Sequence, residues 1–110
     1  MGEEVIKLGG KHKSTFMDKV IEILPDGGDG FAFDVDHNIY VCGGTTVTVV
    51  SPTGRVIDIL ESPDSKTMMT NCCFGGFDLR TLYATDGRSG RVLAFPAMPV
   101  AGRPLVAFEA

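Results

Sequence analysis

The sequence predicts an all-β fold from three observations. Turn signals recur roughly every eight to twelve residues, short β-branched and aromatic runs lie between them, and the two halves of the chain repeat one another. The turn signals are Pro25-Asp26-Gly27-Gly28, Asp36-His37-Asn38, Gly43-Gly44, Ser51-Pro52-Thr53-Gly54, Gly75-Gly76 and Asp86-Gly87-Arg88-Ser89-Gly90. Such clusters supply the positive φ and the side-chain caps that tight reversals need.

The runs between the turns are taken as strands in order. They are Val20–Leu24, Phe31–Val35, Ile39–Cys42, Thr46–Val50, Val56–Leu60, Asn71–Phe74, Leu82–Thr85, Arg91–Phe95 and Leu105–Phe108. No segment sustains an apolar period near 3.6 over three turns. Ser14–Leu24 imitates a helix through Phe16, Met17, Val20, Ile21 and Leu24, but Val20-Ile21-Glu22-Ile23-Leu24 running into Pro25 favours a strand.

When the halves are overlaid, Phe33 falls on Phe74 and Tyr40 on Tyr83, separations of 41 and 43 residues. A four-stranded unit recurring at about that period is the mark of β-propeller blades, which usually close a ring of four to eight around a channel. The expectation is therefore two four-stranded antiparallel blades plus an N-terminal strand, with residues 1–15 a solvated tail and residues 16–110 the two-blade domain. Two blades leave two apolar faces open. Such a chain assembles with copies of itself, belongs to something longer, or packs in a compact form that is not a propeller. Three copies would close a ring of six blades, so a homo-oligomer, a trimer first, is the expected partner state.

Composition narrows the function classes. A chain of 110 residues with 44% hydrophobic and 22% charged residues is ordinary for one globular domain. Its net charge of −4 argues against a phosphate backbone as partner, and Lys7, Lys11, His12 and Lys13 are too few for a docking patch. The charged first twenty residues hold no apolar stretch suited to a signal peptide or membrane span, so the expectation is a cytoplasmic protein with no nucleic-acid or membrane partner. Cys42, Cys72 and Cys73 are odd in number and the last two are adjacent, which reads as buried reduced thiols rather than a disulfide framework.

Several segments resemble one family in order. Asp29-Gly30-Phe31-Ala32-Phe33-Asp34-Val35-Asp36-His37-Asn38-Ile39-Tyr40-Val41 is similar to the D-G-hydrophobic-x-hydrophobic-D-x-x-G-N-L-W/Y-V stretch of the gluconolactonase and regucalcin (senescence marker protein) family. Ser51-Pro52-Thr53-Gly54-Arg55 resembles its D-P-x-G-R hairpin. Thr70-Asn71-Cys72-Cys73-Phe74-Gly75-Gly76 with Asp78–Thr85 is the most specific motif, and Gly90-Arg91-Val92 and Val100–Leu105 complete the order. The resemblance covers roughly residues 20–108 and corresponds to the carboxy-terminal third or so of a full member.

The resemblance implies a six-bladed propeller holding one divalent cation (calcium, zinc, magnesium or manganese) in its channel and often hydrolysing sugar lactones. It also implies three ligands: a glutamate of an E-G-P motif, a middle asparagine of an N-G motif and the aspartate of the D-G motif. Only the aspartate has a counterpart, Asp29. Glu3 and Glu4 are followed by Val5 and Ile6 instead of Gly-Pro, and Asn71 belongs to a different motif.

Asp29 is thus the candidate metal ligand and catalytic residue, because a carboxylate suits a hard cation and accepts a proton. The plainer reading is that Asp-Gly makes a turn. Asn71 is the candidate substrate-binding residue, since it and Asp29 both open inner strands, although Asn there also caps turns. Asp34-Val35-Asp36-His37-Asn38 is not a calcium loop, because Ile39 and Thr45 occupy the glycine and glutamate positions; it reads as a hairpin with His37 at its tip. Gly9–Ser14 lacks the first glycine and the Ser or Thr of a phosphate loop. Cys72 and Cys73 alternate across a strand with no histidine placed to activate either. Phe31, Phe33, Phe74 and Tyr83 read as the apolar filling between blades.

Two function classes compete. One is a divalent-metal-dependent lactone hydrolase assembled from several chains, with a small-molecule lactone as substrate. The other is a non-catalytic binding or scaffold module derived from a propeller; a truncated piece with no independent role is a third reading.

Overall fold

The structure, a computed structural model, describes residues 28–104. Among these residues seven strands form two antiparallel sheets. β1 (Phe31–Phe33), β2 (Ile39–Gly43), β3 (Thr46–Val50) and β4 (Val56–Glu61) follow one another across the first. β5 (Met69–Gly75), β6 (Thr81–Asp86) and β7 (Arg91–Phe95) do so across the second. The all-β expectation holds, and each strand expected between residues 31 and 95 exists. The second sheet has three described strands rather than four. Leu105–Phe108, Val20–Leu24, the Gly9–Ser14 loop, the Ser14–Leu24 alternative and the tail over residues 1–15 lie outside the described residues.

The strands end where the turn chemistry takes over. β2 and β3 meet at Gly43-Gly44, where Gly44 takes φ 56°, and β3 and β4 meet over a loop in which Gly54 takes φ 89°. β1 stops at Phe33, two residues short of the expected end, because Asp34 turns its carboxylate into the hairpin. Its Oδ1 accepts the amides of Asp36 and Asn38 at 2.9 and 3.0 Å, and Oδ2 accepts Asn38 Nδ2 and the Tyr40 hydroxyl, each at 2.8 Å. His37 sits at the exposed tip with φ 70°, as the hairpin reading requires.

The register makes the repeat concrete. Phe33 pairs with Ile39 and Phe74 with Leu82, so β1 corresponds to β5 and β2 to β6; the second hairpin is two residues longer, which accounts for separations of 41 and then 43. Alternation then assigns faces. Ala32, Tyr40, Cys42, Val47 and Val49 of the first sheet meet Met69, Cys72, Leu82 and Ala84 of the second in one core, with Leu60, Phe74, Leu93 and Phe95 packed against it. Tyr40 and Phe74 cross edge to face at 4.9 Å, inside the range where aromatic pairs attract beyond their burial.

The aromatic filling is corrected in part. Phe74 packs at the sheet interface, but Phe31 is 46% exposed and Tyr83 37% exposed. Phe31 and Phe33 lie on the strand face opposite Ala32, and Tyr83 lies on the side of the second sheet that faces away from the first. The buried aromatic that the reading left out is Tyr40.

A strap after β7 crosses from the second sheet back to the first. The Met98 amide donates to the Arg80 carbonyl at 2.8 Å, Gly102 to Leu79 at 2.7 Å and Arg103 to Phe33 at 3.0 Å, while Val35 donates to Ala101 at 2.9 Å. Arg80 Nη1 also donates to the carbonyls of Met98 and Pro99. Gly102 must be glycine for closeness, because a Cβ there would overlap the Phe74 ring.

Candidate functional site

The two inner strands β1 and β5 enter side by side. The Asp29 amide donates to the Cys42 carbonyl at 2.8 Å and the Gly30 amide to the Thr70 carbonyl at 2.7 Å, which ties the start of the first sheet to the start of the second. A side chain at Gly30 would overlap the Asn71 carboxamide. Asp29 directly precedes the glycine that approaches the Asn71 carboxamide, and both Asp29 and Asn71 are exposed. Asn71 Oδ1 accepts the Cys72 amide at 2.9 Å, which leaves its Nδ2 to donate elsewhere.

Below Asn71 a cleft of about 270 Å³ runs between the inner strands. Phe31, Phe33 and Phe74 form its walls; Leu79 of the β5–β6 hairpin and Arg103 and Pro104 of the strap line it as well. The Arg103 guanidinium lies 4.7 Å from the centre of the Phe33 ring and reaches to 3.5 Å of His37 Nδ1. Arg103 is the one cationic side chain lining the cleft among the described residues. Sequence reading missed it, since the strap is placed by backbone bonds to residues 18 to 70 positions away and no local pattern announces such contacts.

The three cysteines divide by face. Cys42 and Cys72 are buried in the core and Cys73 is exposed, all as free thiols. Cys72 Sγ points at the Tyr40 carbonyl at 3.6 Å, and the neighbouring Cys42 thiol, followed by burial, pushes the Cys72 thiol well above its usual range. It stays protonated at neutral pH, which removes it as a nucleophile. Cys72 and Cys73 alternate across β5 as expected, while the expectation of burial fails for Cys73.

Two other perturbed groups are structural. Burial first, and then the Asp34 carboxylate it bonds, raise the Tyr40 phenol far above its ordinary value. Asp86, 2% exposed, is held well below the usual carboxylate range by the Ser89 hydroxyl and by the amides of Met68 and Arg88, against burial, with Arg91 assisting at 3.3 Å. Both carboxylates spend their lone pairs on turns, so neither is placed for chemistry on a ligand.

For a metal, the donors fit in kind. The Asp29 carboxylate and Asn71 carboxamide carry hard oxygens, of which Asn71 Oδ1 already accepts the Cys72 amide, and a cation such as calcium takes six to eight oxygens. They fall short in number: among the described residues no three His, Cys, Asp or Glu side chains converge as metal ligands. No helix among the described residues is long and apolar enough to cross a membrane.

Comparison with known proteins agrees with these features. The family described as SMP-30/Gluconolactonase/LRE-like region matches residues 9–88, which contain Asp29, Asn71 and both inner strands. Regucalcin from Bos taurus is 35% identical over 65 residues, covering 56% of this chain and 21% of the relative. Regucalcin from Gallus gallus is 31% identical over 84 residues, 74% of this chain and 26% of the relative. Regucalcin from Sus scrofa is 34% identical over 65 residues, 56% and 21%. The chain thus spans about a fifth to a quarter of the length of the relatives it matches.

Proposed function

The chain belongs to the SMP-30/gluconolactonase/LRE-like family, and from that premise we propose that it contributes the Asp29–Asn71 wall of a lactone-hydrolysing β-propeller site. The observation that supports this reading is the family match across residues 9–88 together with the close approach of Gly30 to Asn71, which brings the opening of β1, preceded by Asp29, against the opening of β5.

In this reading Asp29 holds a divalent cation and, through its other oxygen, accepts a proton from the attacking water. The cation, when bound, polarises the lactone carbonyl and acidifies water. Asn71 Nδ2 donates to an oxygen of the substrate, its Oδ1 being committed to the Cys72 amide. The aromatic walls of the cleft exclude water from the ring of the lactone.

The remaining ligands and blades come from other copies of the chain or from a longer protein. A homo-oligomer, a trimer first, supplies six sheets from three pairs, and the open Tyr83 side of the second sheet supports assembly. Three copies of Asp29 around one axis would repel unless a cation or protons neutralised them, so the assembled form gains thermal stability from calcium, zinc, manganese or magnesium. The cytoplasm is the proposed compartment.

The test is hydrolysis of glucono-δ-lactone and a homoserine lactone by the purified native assembly, with and without each metal, alongside Asp29→Asn. Metal-dependent turnover lost in D29N supports the reading; no turnover by a clean oligomer sinks it. The second reading, a non-catalytic binding module, is favoured by the single matching ligand, and it predicts an unchanged melting temperature in every metal.

A further inference from the structure

We propose that the cleft between β1 and β5 is a binding site for a small amphipathic carboxylate, its apolar body between the aromatic walls and its carboxylate on Arg103. The inference rests on reading this cleft as part of the lactone site, because it names what that site admits: lactones with an apolar body and an acidic tail, in preference to neutral polyols. Binding, however, needs neither metal nor turnover.

The walls decide the body of the ligand. Phe31, Phe33, Phe74, Leu79 and Pro104 offer rings and methyl groups, whereas a sugar would need hydrogen-bonding side chains along its length, and Asn71 is the one neutral polar side chain in the lining apart from the Cys72 and Cys73 thiols. A volume of about 270 Å³ suits a molecule of roughly ten to fifteen heavy atoms.

Arg103 decides the charge. Its backbone is anchored by the bond to Phe33, and its guanidinium lies over the Phe33 ring, so the planar fork is oriented before a ligand arrives. Among the described residues no carboxylate lies within ion-pair distance of it; its one side-chain polar neighbour is His37 at 3.5 Å. A fork held in place beside an apolar wall and lacking a carboxylate is suited to a bidentate carboxylate.

The experiment is calorimetric and NMR titration of the whole chain with 4-phenylbutyrate, its neutral isostere 4-phenylbutanamide and gluconate, without added metal. The expected result is binding of 4-phenylbutyrate about tenfold tighter than the amide or gluconate, with shifts at Phe31–Phe33, Asn71–Phe74 and Arg103. Arg103→Gln abolishes the preference over the amide. Rising salt weakens the carboxylate alone, a check on the native chain that holds even if R103Q folds poorly. Equal affinity for acid and amide, gluconate binding as well as 4-phenylbutyrate, no saturable binding at millimolar ligand, or insensitivity to salt overturns the proposal. Lactone turnover without carboxylate binding would leave the lactone reading intact and refute this one.

Discussion

Tyr40 and Tyr83 occupy the same position in the two sheets and lead opposite lives. Each lies on its hairpin's return strand one place after Ile39 or Leu82, and each points to the same side of its own sheet. Tyr40 is 2% exposed, edge-on to Phe74 and bonded to Asp34 through its hydroxyl. Tyr83 is 37% exposed, and among the described residues its hydroxyl makes no side-chain bond. The same holds along the sheets: Val47 and Val49 are buried where their counterparts Val92 and Ala94 are exposed. The sheets stack in one direction, face to back, so the side that the first sheet buries against the second is the side that the second leaves open. Burial here is decided by having a neighbour, not by residue type.

The sharpest way to break this comparison is to truncate both tyrosines. Tyr40→Ala is expected to lose roughly 3–5 kcal/mol in urea unfolding, the range for deleting a buried aromatic, and Tyr83→Ala under about 1 kcal/mol. Equal losses would mean that Tyr83 is covered in solution, and the loss at Tyr83 should then depend on protein concentration. Gly102→Ala tests the strap that holds the two sheets together: its methyl group would overlap the Phe74 ring and destabilise by roughly 1–3 kcal/mol, read in the same unfolding assay.

Tyr40→Phe isolates the hydroxyl. It leaves the Asp34 carboxylate buried with one partner fewer and should lose about 1–3 kcal/mol, while Tyr83→Phe changes nothing measurable. The acid limb of stability separates the turns. Asp86 has a folded pKa below its unfolded one, so its contribution is full above about pH 4 and falls as pH drops below that; Asp86→Asn should flatten this limb in melting curves taken from pH 5 to pH 2. The smallest effect is chemical. Cys73 should alkylate at neutral pH in the folded state, and Cys42 and Cys72 only once the chain unfolds, a difference that mass spectrometry of labelled peptides reads directly.

Much of the site was legible because it is local. Asp29-Gly30 and Thr70-Asn71 each open an inner strand, and equivalent openings in successive sheets must lie side by side, so their meeting follows from the repeat. Arg103 was not legible, since its placement depends on a strap whose bonds run to Phe33 and Leu79. Nor was the contrast between Tyr40 and Tyr83, which are identical residues in matching motifs.

The sequence by itself determined the strands, their register and their turns. Alternation and turn chemistry act over a few residues, and Asp34, Gly44 and Asp86 enforce them locally. Only the tertiary structure decided which face each sheet buries and which cation closes the cleft. Those depend on contacts between residues far apart in the chain, and a period-two pattern names two faces without saying which one receives a neighbour.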